Sequence, residues 1–257
     1  MKTQALLAVS FGTSHRDTLE KTIAAIETDL AAAFPERTLR RAFTSGMILR
    51  KLEREGPPID DVPAALERLA AEGYTDVLVQ PTHIMNGDEY DKLMDQAAPF
   101  RERFARLAFG RPLLTGAEDH LQAVRALMAD LPAREPGRAI LYMGHGTGHF
   151  ANSCYALLEY VFHDLGRTDV VIGTVEGYPG FEEAARRIKE QGADRVELRP
   201  LMIVAGDHAK NDLAGPEEDS WKSRLEGEGY AVTCLLRGLG EIPGIRALFV
   251  DHAREAL

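Results

Sequence analysis

Cysteine is scarce. Cys154 and Cys234 are the only two in 257 residues, far apart and without a CxxC spacing. The chain therefore offers no disulfide framework and reads as a reduced, cytoplasmic protein. Long apolar runs are missing as well: none approaches the ~20 residues that a membrane span needs. The apolar stretch at 5–9, behind Met1-Lys2-Thr3-Gln4, is too short for a signal peptide. Cations are outnumbered, with 30 Lys and Arg against 40 Asp and Glu and a formal net charge of −10. That balance argues against nucleic acid as a partner, which calls for a basic footprint.

What is present is an ordinary globular composition, 45% hydrophobic and 27% charged. The length suits one large domain or two small lobes, and a chain of this size folds without disulfides or a structural metal. Apolar runs of strand length fall at 5–11, 39–44, 76–80 and 107–114, and again at 139–143, 170–175, 196–203 and 232–236. Helical periodicities lie between them, the signature of parallel sheets covered by helices. The segment 62–72 carries Leu66, Leu69 and Ala70 on one stripe and stops at Gly73. The segment 181–191 gathers Phe181, Ala184, Ala185 and Ile188 and stops at Gly192. The expected architecture is α/β, with an N-terminal lobe at 1–130, a polar linker at 131–137 and a C-terminal lobe at 138–257. The final helix, 243–257, is free to pack on the first lobe.

The halves resemble each other. Phe11-Gly12-Thr13-Ser14-His15 parallels His145-Gly146-Thr147-Gly148-His149, each after the opening strand of its half. Residues 73–88 recur as 192–207 at a constant offset of 119, pairing Pro81 with Pro200 and Gly87-Asp88 with Gly206-Asp207. Two matches in the same order point to two similar lobes with a cleft between them.

Ligands of parallel sheets bind beyond the carboxyl ends of the strands. In the second half that rim carries His145, Glu176 and His208, at intervals of 31 and 32 residues, close to the ~30 residues of a βαβ unit. Equal spacing of that size brings the three side chains together on one rim. Two imidazoles and a carboxylate suit Co²⁺, Fe²⁺, Ni²⁺ or Zn²⁺ and leave coordination positions open. A lone histidine is more often structural than ligating; three candidates on successive strand ends alter that balance. A dinucleotide loop is the competing reading of 144–149, but His149 stands where the third glycine of GxGxxG belongs, and His145 sits where bare backbone should approach a pyrophosphate. In the first half the matching rim positions hold Phe11, Ser45 and Glu89. With the hydroxyls of Ser10 and Thr13, they form a wall for a flat, partly apolar ligand. The alternative for Thr13 and Ser14 is a turn or cap role.

Six segments now stand out together: SFGTS at 10–14, RAFTSGM at 41–47, NGDEY at 86–90, MGHG at 143–146, VAGDH at 204–208 and GLGE at 238–241. In combination, and over nearly the whole chain, they resemble the anaerobic sirohydrochlorin cobaltochelatases of cobalamin synthesis, class II enzymes related in fold to ferrochelatase. The resemblance implies two flavodoxin-like lobes and the insertion of Co²⁺, as substrate metal, into a tetrapyrrole partner without ATP or nucleotide. It also implies that His145, Glu176 and His208 bind the metal and that His145 accepts a proton. Arg50, Lys51 and Lys210 are the candidate cations for the substrate's carboxylates. His149 receives no role, and no motif specifies an interface for a possible homo-oligomer. Ferro- or nickel-chelatase activity on a related tetrapyrrole, a non-catalytic metal or haem carrier, and a metal-dependent hydrolase are the rival functions.

Overall fold

A computed structural model describes residues 3–55 and 58–257. The first sheet is built from β1 (Gln4–Ser10), β2 (Thr38–Phe43), β3 (Asp76–Pro81) and β4 (Arg106–Phe109). The second comprises β5 (Arg138–Gly144), β6 (Val170–Thr174), β7 (Arg195–Leu201) and β8 (Ala231–Cys234). All pairings are parallel, in the orders β2-β1-β3-β4 and β6-β5-β7-β8. The two orders are the same permutation, so the expectation of two similar α/β lobes is borne out. Around the first sheet lie α1 (Arg16–Lys21), α2 (Ile23–Ala33), α3 (Gly46–Glu55), α4 (Val62–Ala71), α5 (Asp88–Ala97) and α6 (Ala117–Asp130). Around the second lie α7 (Cys154–Asp164), α8 (Phe181–Glu190) and α9 (Trp221–Gly227), and the chain ends in α10 (Pro243–Glu255). Among the described residues no helix is long and apolar enough to cross a membrane.

Local chemistry sets the element ends. Asp61 caps α4 by accepting from the Ala64 amide at 2.9 Å, and Val62, Ala65, Leu66 and Leu69 form its buried stripe. At α8 the Glu183 carboxylate accepts from the Gly180 amide at 2.9 Å, and the buried stripe is Phe181, Ala184, Ala185 and Ile188. Pro81 and Pro200 sit inside sheets without breaking them. The outer strands β4 and β8 pair no further than Val79 and Leu198. The side-to-side alternation of a parallel ladder turns both proline nitrogens toward that ended neighbour, where no donor is needed.

Several expected strands end earlier than the apolar pattern suggested, β6 at Thr174 and β7 at Leu201 among them. β4 stops at Phe109 because Gly110 and Pro112 interrupt it; Leu113 and Leu114 then bond to the carbonyls of His83 and Ile84 at 3.0 and 2.7 Å. β8 ends at Cys234, leaving Leu235 and Leu236 exposed.

The central strands alternate between two cores. Leu7 and Val9 of β1 face a cluster confined to the first lobe, and Leu141 and Met143 of β5 one confined to the second. Leu6, Ala8, Ile140 and Tyr142 face a third cluster that joins the lobes through α2, α6, α7 and α10. The final helix α10 belongs to the second half of the chain, yet it packs against α2, α6 and β3 of the first. Phe249 lies at its centre, fully buried. Phe249→Ala should cost about 3–5 kcal/mol and lower the midpoint of a single denaturant transition that reports on both lobes together.

Candidate metal centre at the lobe cleft

The loop after β5 is forced into its path by close packing. A side chain at Gly144 would meet the Tyr155 ring at 2.5 Å. One at Gly146, whose φ is +79°, would meet the Gly177 amide nitrogen at 2.7 Å and Thr174 at 2.8 Å. The Val175 and Glu176 amides donate to the carbonyls of Gly144 and His145 at 3.0 and 2.8 Å, so the loops after β5 and β6 rise side by side. Asn152 ties them further, accepting from the Thr147 amide at 3.0 Å and donating to the Tyr178 carbonyl at 2.7 Å.

On this base stand the three side chains expected from the sequence. Glu176 Oε2 lies 3.9 Å from His145 Nδ1, and the rings of His145 and His208 meet edge to face, 4.6 Å between centroids at 88°. Their side chains remain 45%, 60% and 40% exposed for His145, Glu176 and His208. His145 Nδ1 lies 2.9 Å from the Gly146 carbonyl. A carbonyl only accepts, so that contact puts the proton on Nδ1 and leaves the Nε2 lone pair free. His208 Nδ1 lies 2.5 Å from Asp212 Oδ2. As they stand, the described residues contain no group of three His, Cys, Asp or Glu side chains arranged to hold a metal ion. Glu176 approaches the Nδ1 edge of His145 rather than the free nitrogen. The cluster is thus a gathering of donors and not a closed cage.

Across the cleft the internal repeat becomes geometric. Thr44 and Ser45 amides donate to the Ser10 and Phe11 carbonyls at 2.9 and 3.1 Å, the same bonds that Val175 and Glu176 make in the second lobe. Phe11 therefore stands where His145 stands, and Ser45 where Glu176 stands. Thr13 Oγ1 accepts from the His15 amide at 3.1 Å, as Thr147 Oγ1 does from His149 at 3.0 Å. Each loop then reaches over to the opposite lobe. His15 Nε2 meets Asp207 at 2.7 Å and His15 Nδ1 lies 3.3 Å from Lys210. Thr147 donates to Asp88 at 2.7 Å, and His149 Nε2 lies 3.4 Å from Asp91. Asp88 and Asp207, and likewise Asp91 and Lys210, are partners under the offset of 119. The lobes clasp each other through two related pairs of contacts. The hydrogen bond from His15 holds the Asp207 carboxyl below its ordinary range, with Lys51 and His208 adding to the effect.

The first-lobe wall is less polar than the sequence suggested. Phe11 is 46% exposed, but Ser10, Thr13 and Ser45 are buried. Ser10 pairs with the Thr82 hydroxyl at 2.7 Å, Thr13 caps its own turn, and Ser45 accepts from the Ile48 amide at 3.4 Å. Their hydroxyls are engaged within the wall. Glu89 is partly exposed, with Lys92 at 3.7 Å, while its Oε2 is buried without a hydrogen bond. Beneath, His83 is buried with Nε2 3.3 Å from Thr44 Oγ1 and Nδ1 unpartnered. Burial, and then the Lys92 charge, pull its pKa down to about 4.

The strand-end logic did not reach Asp212, Tyr155, Asn152 or the clasp aspartates. Asp88 and Asp207 carry a signal in the repeat, and Asp212 in its four-residue spacing from His208. Tyr155 and Asn152 carry none.

A family model described as Cobalt chelatase (CbiK) matches residues 4–257. A curated "Sirohydrochlorin cobaltochelatase" of Salmonella typhimurium is 47% identical over 255 residues, 99% of this chain and 96% of the relative. "Sirohydrochlorin cobaltochelatase CbiKC" of Nitratidesulfovibrio vulgaris is 36% identical over 262 residues, 100% of this chain and 92% of the relative. Among solved structures, SirB from Bacillus subtilis with Fe³⁺ superposes at a TM-score of 0.69 with 15% identity, covering 100% of this chain and 96% of that one. A sirohydrochlorin chelatase SirB from B. subtilis subspecies spizizenii in complex with cobalt gives 0.65 at 15% identity, covering 100% and 95%. The last two are likenesses of fold.

The buried His83 generates a test of the wall. Its folded-state pKa lies below the ordinary 6.5, so the neutral ring stabilises the fold fully above about pH 6.5, and this contribution is lost as pH falls toward about 4. Thermal melts between pH 7 and pH 4 should show a loss of up to about 3 kcal/mol from this group, absent in His83→Gln.

Proposed function

The chain belongs to the cobalt chelatase (CbiK) family, and on that premise we propose that it is a cytoplasmic enzyme inserting Co²⁺ into sirohydrochlorin without ATP. The observation that carries the reading is the meeting of His145, Glu176 and His208 on one rim, opposite a wall headed by Phe11. Co²⁺ is here a substrate, and an open, exposed donor set suits an ion that must be handed on. A closed cage would bind it too well to release it.

Insertion exchanges the ion's water ligands for four ring nitrogens and expels two pyrrole protons. In the proposed mechanism Glu176 offsets the dication's charge and His145 and His208 hold it through imidazole nitrogens. The free Nε2 lone pair of His145 serves two tasks in turn. It binds the metal first, then takes one of the two protons from the macrocycle once the ring nitrogens have drawn the ion away, and the other proton passes to solvent water. One lone pair cannot do both at once. Phe11 supports the flat ring, Glu89 faces it from the first lobe, and Ser10, Thr13 and Ser45 keep that wall in shape. The substrate is rich in carboxylates while the chain carries a net charge of −10, so local cations must dominate at the cleft. Lys51 and Lys210 support this role through their approach to Asp207 and His15; Arg50 is exposed on the same helix as Lys51. The donor set accepts Fe²⁺ and Ni²⁺ as well, and a carrier would hold metal without turnover.

The deciding assay mixes protein, sirohydrochlorin and Co²⁺ without ATP and follows the change in tetrapyrrole absorbance. Turnover above the uncatalysed rate is expected; an equal rate overturns the reading. His145→Ala should lower insertion by at least roughly 10²-fold while leaving the far-ultraviolet circular dichroism unchanged. Near-wild-type turnover in that variant removes His145 from the chemistry.

A further inference from the structure

We propose that Asp212 is a positioning residue that fixes the tautomer of His208, so that the Nε2 lone pair is the one offered to the metal. The inference deepens the function proposed above and rests on His208 being a metal donor.

A carboxylate accepts and does not donate, so the 2.5 Å contact between Asp212 Oδ2 and His208 Nδ1 places the imidazole proton on Nδ1. The opposite ring nitrogen, Nε2, is then unprotonated, and the neighbouring His145 ring has its own Nδ1 held by the Gly146 carbonyl. Both histidines thereby keep the same nitrogen, Nε2, free of a proton. The two restraints differ in kind: His145 uses a neighbouring carbonyl, His208 a carboxylate. A carboxylate behind a ligating imidazole also raises its basicity.

The backbone supports this role. Residues Ala209–Leu213 form a wide π-type turn whose ends, Ala209 and Leu213, are buried. The turn closes with the Gly215 amide on the Asn211 carbonyl at 2.9 Å, and a side chain at Gly215 would approach that oxygen to 2.4 Å. On the other flank Asp207 is held by His15 of the opposite lobe. Asp212 thus acts from a turn with little freedom, on a histidine held from both sides.

Two measurements on the apo and Co²⁺-loaded protein test it. Long-range ¹H–¹⁵N correlation of the imidazoles, with His208 assigned from the spectrum of His208→Ala, reads the tautomer. Titration followed by the d–d absorption of bound Co²⁺ reads affinity. Wild type should show the Nδ1–H form. Asp212→Ala should shift His208 toward Nε2–H and weaken Co²⁺ binding by about 10–100-fold. Asp212→Asn, whose amide oxygen still accepts from Nδ1–H, should restore the tautomer and most of the affinity. An unchanged tautomer in Asp212→Ala, or wild-type Co²⁺ affinity there while His208→Ala binds weakly, overturns the role of Asp212 alone. Wild-type affinity in His208→Ala overturns the metal-site reading on which it rests.

Discussion

The cleft depends on a core that neither lobe owns. Leu6 and Ala8 from β1 and Ile140 and Tyr142 from β5 turn one face of each sheet into a single apolar cluster, filled by helices α2, α6, α7 and α10. Interiors of this kind are packed nearly as densely as organic crystals, so the angle between the sheets is not free. With that angle held, the carboxyl ends of both sheets meet, and the loops that leave them have no choice but to face one another.

Similar scaffolds then carry unlike chemistry. The backbone bonds after β1 and β5 match pair by pair, as do the Thr13 and Thr147 turns. The side chains on equivalent sites do not: Phe11 opposes His145, Ser45 opposes Glu176, Glu89 opposes His208. One half offers a hydrophobic support and the other a set of Lewis bases. A reaction between a flat organic ring and a hydrated dication needs these two surfaces held apart by a ligand's thickness. Two copies of one fold, joined through a common core, bring the two surfaces to the same cleft without any dedicated element.

Much of this was legible in the sequence because the relevant signals are periodic. Apolar runs bounded by glycine and proline located the strands, and the offset of 119 exposed the repeat. Spacings of 31 and 32 residues placed His145, Glu176 and His208 on neighbouring strand ends. The errors have physical causes. The run through 107–114 is apolar throughout its ends because Leu113 and Leu114 are buried, but Gly110 and Pro112 take its middle out of the ladder. Serine and threonine at the rim read as substrate contacts; the structure adds that the backbone uses the hydroxyls of Thr13 and Ser45 as well. Contacts between residues nearly two hundred positions apart, such as His15 with Asp207, have no local trace at all. Asp212 stands four residues from His208, but the π-type turn that brings the two together follows no apolar periodicity that would mark that spacing out.

The return of α10 to the first lobe has a consequence for how the chain comes into being. Synthesis reaches α2 and α6 well before Ile245, Phe249 and Ala253, so the seam on those two helices can be filled only after α10 has been made. Without α10, Ile26 and Leu30 of α2 and Val124 and Leu127 of α6 lose apolar cover that no other element of the first lobe replaces.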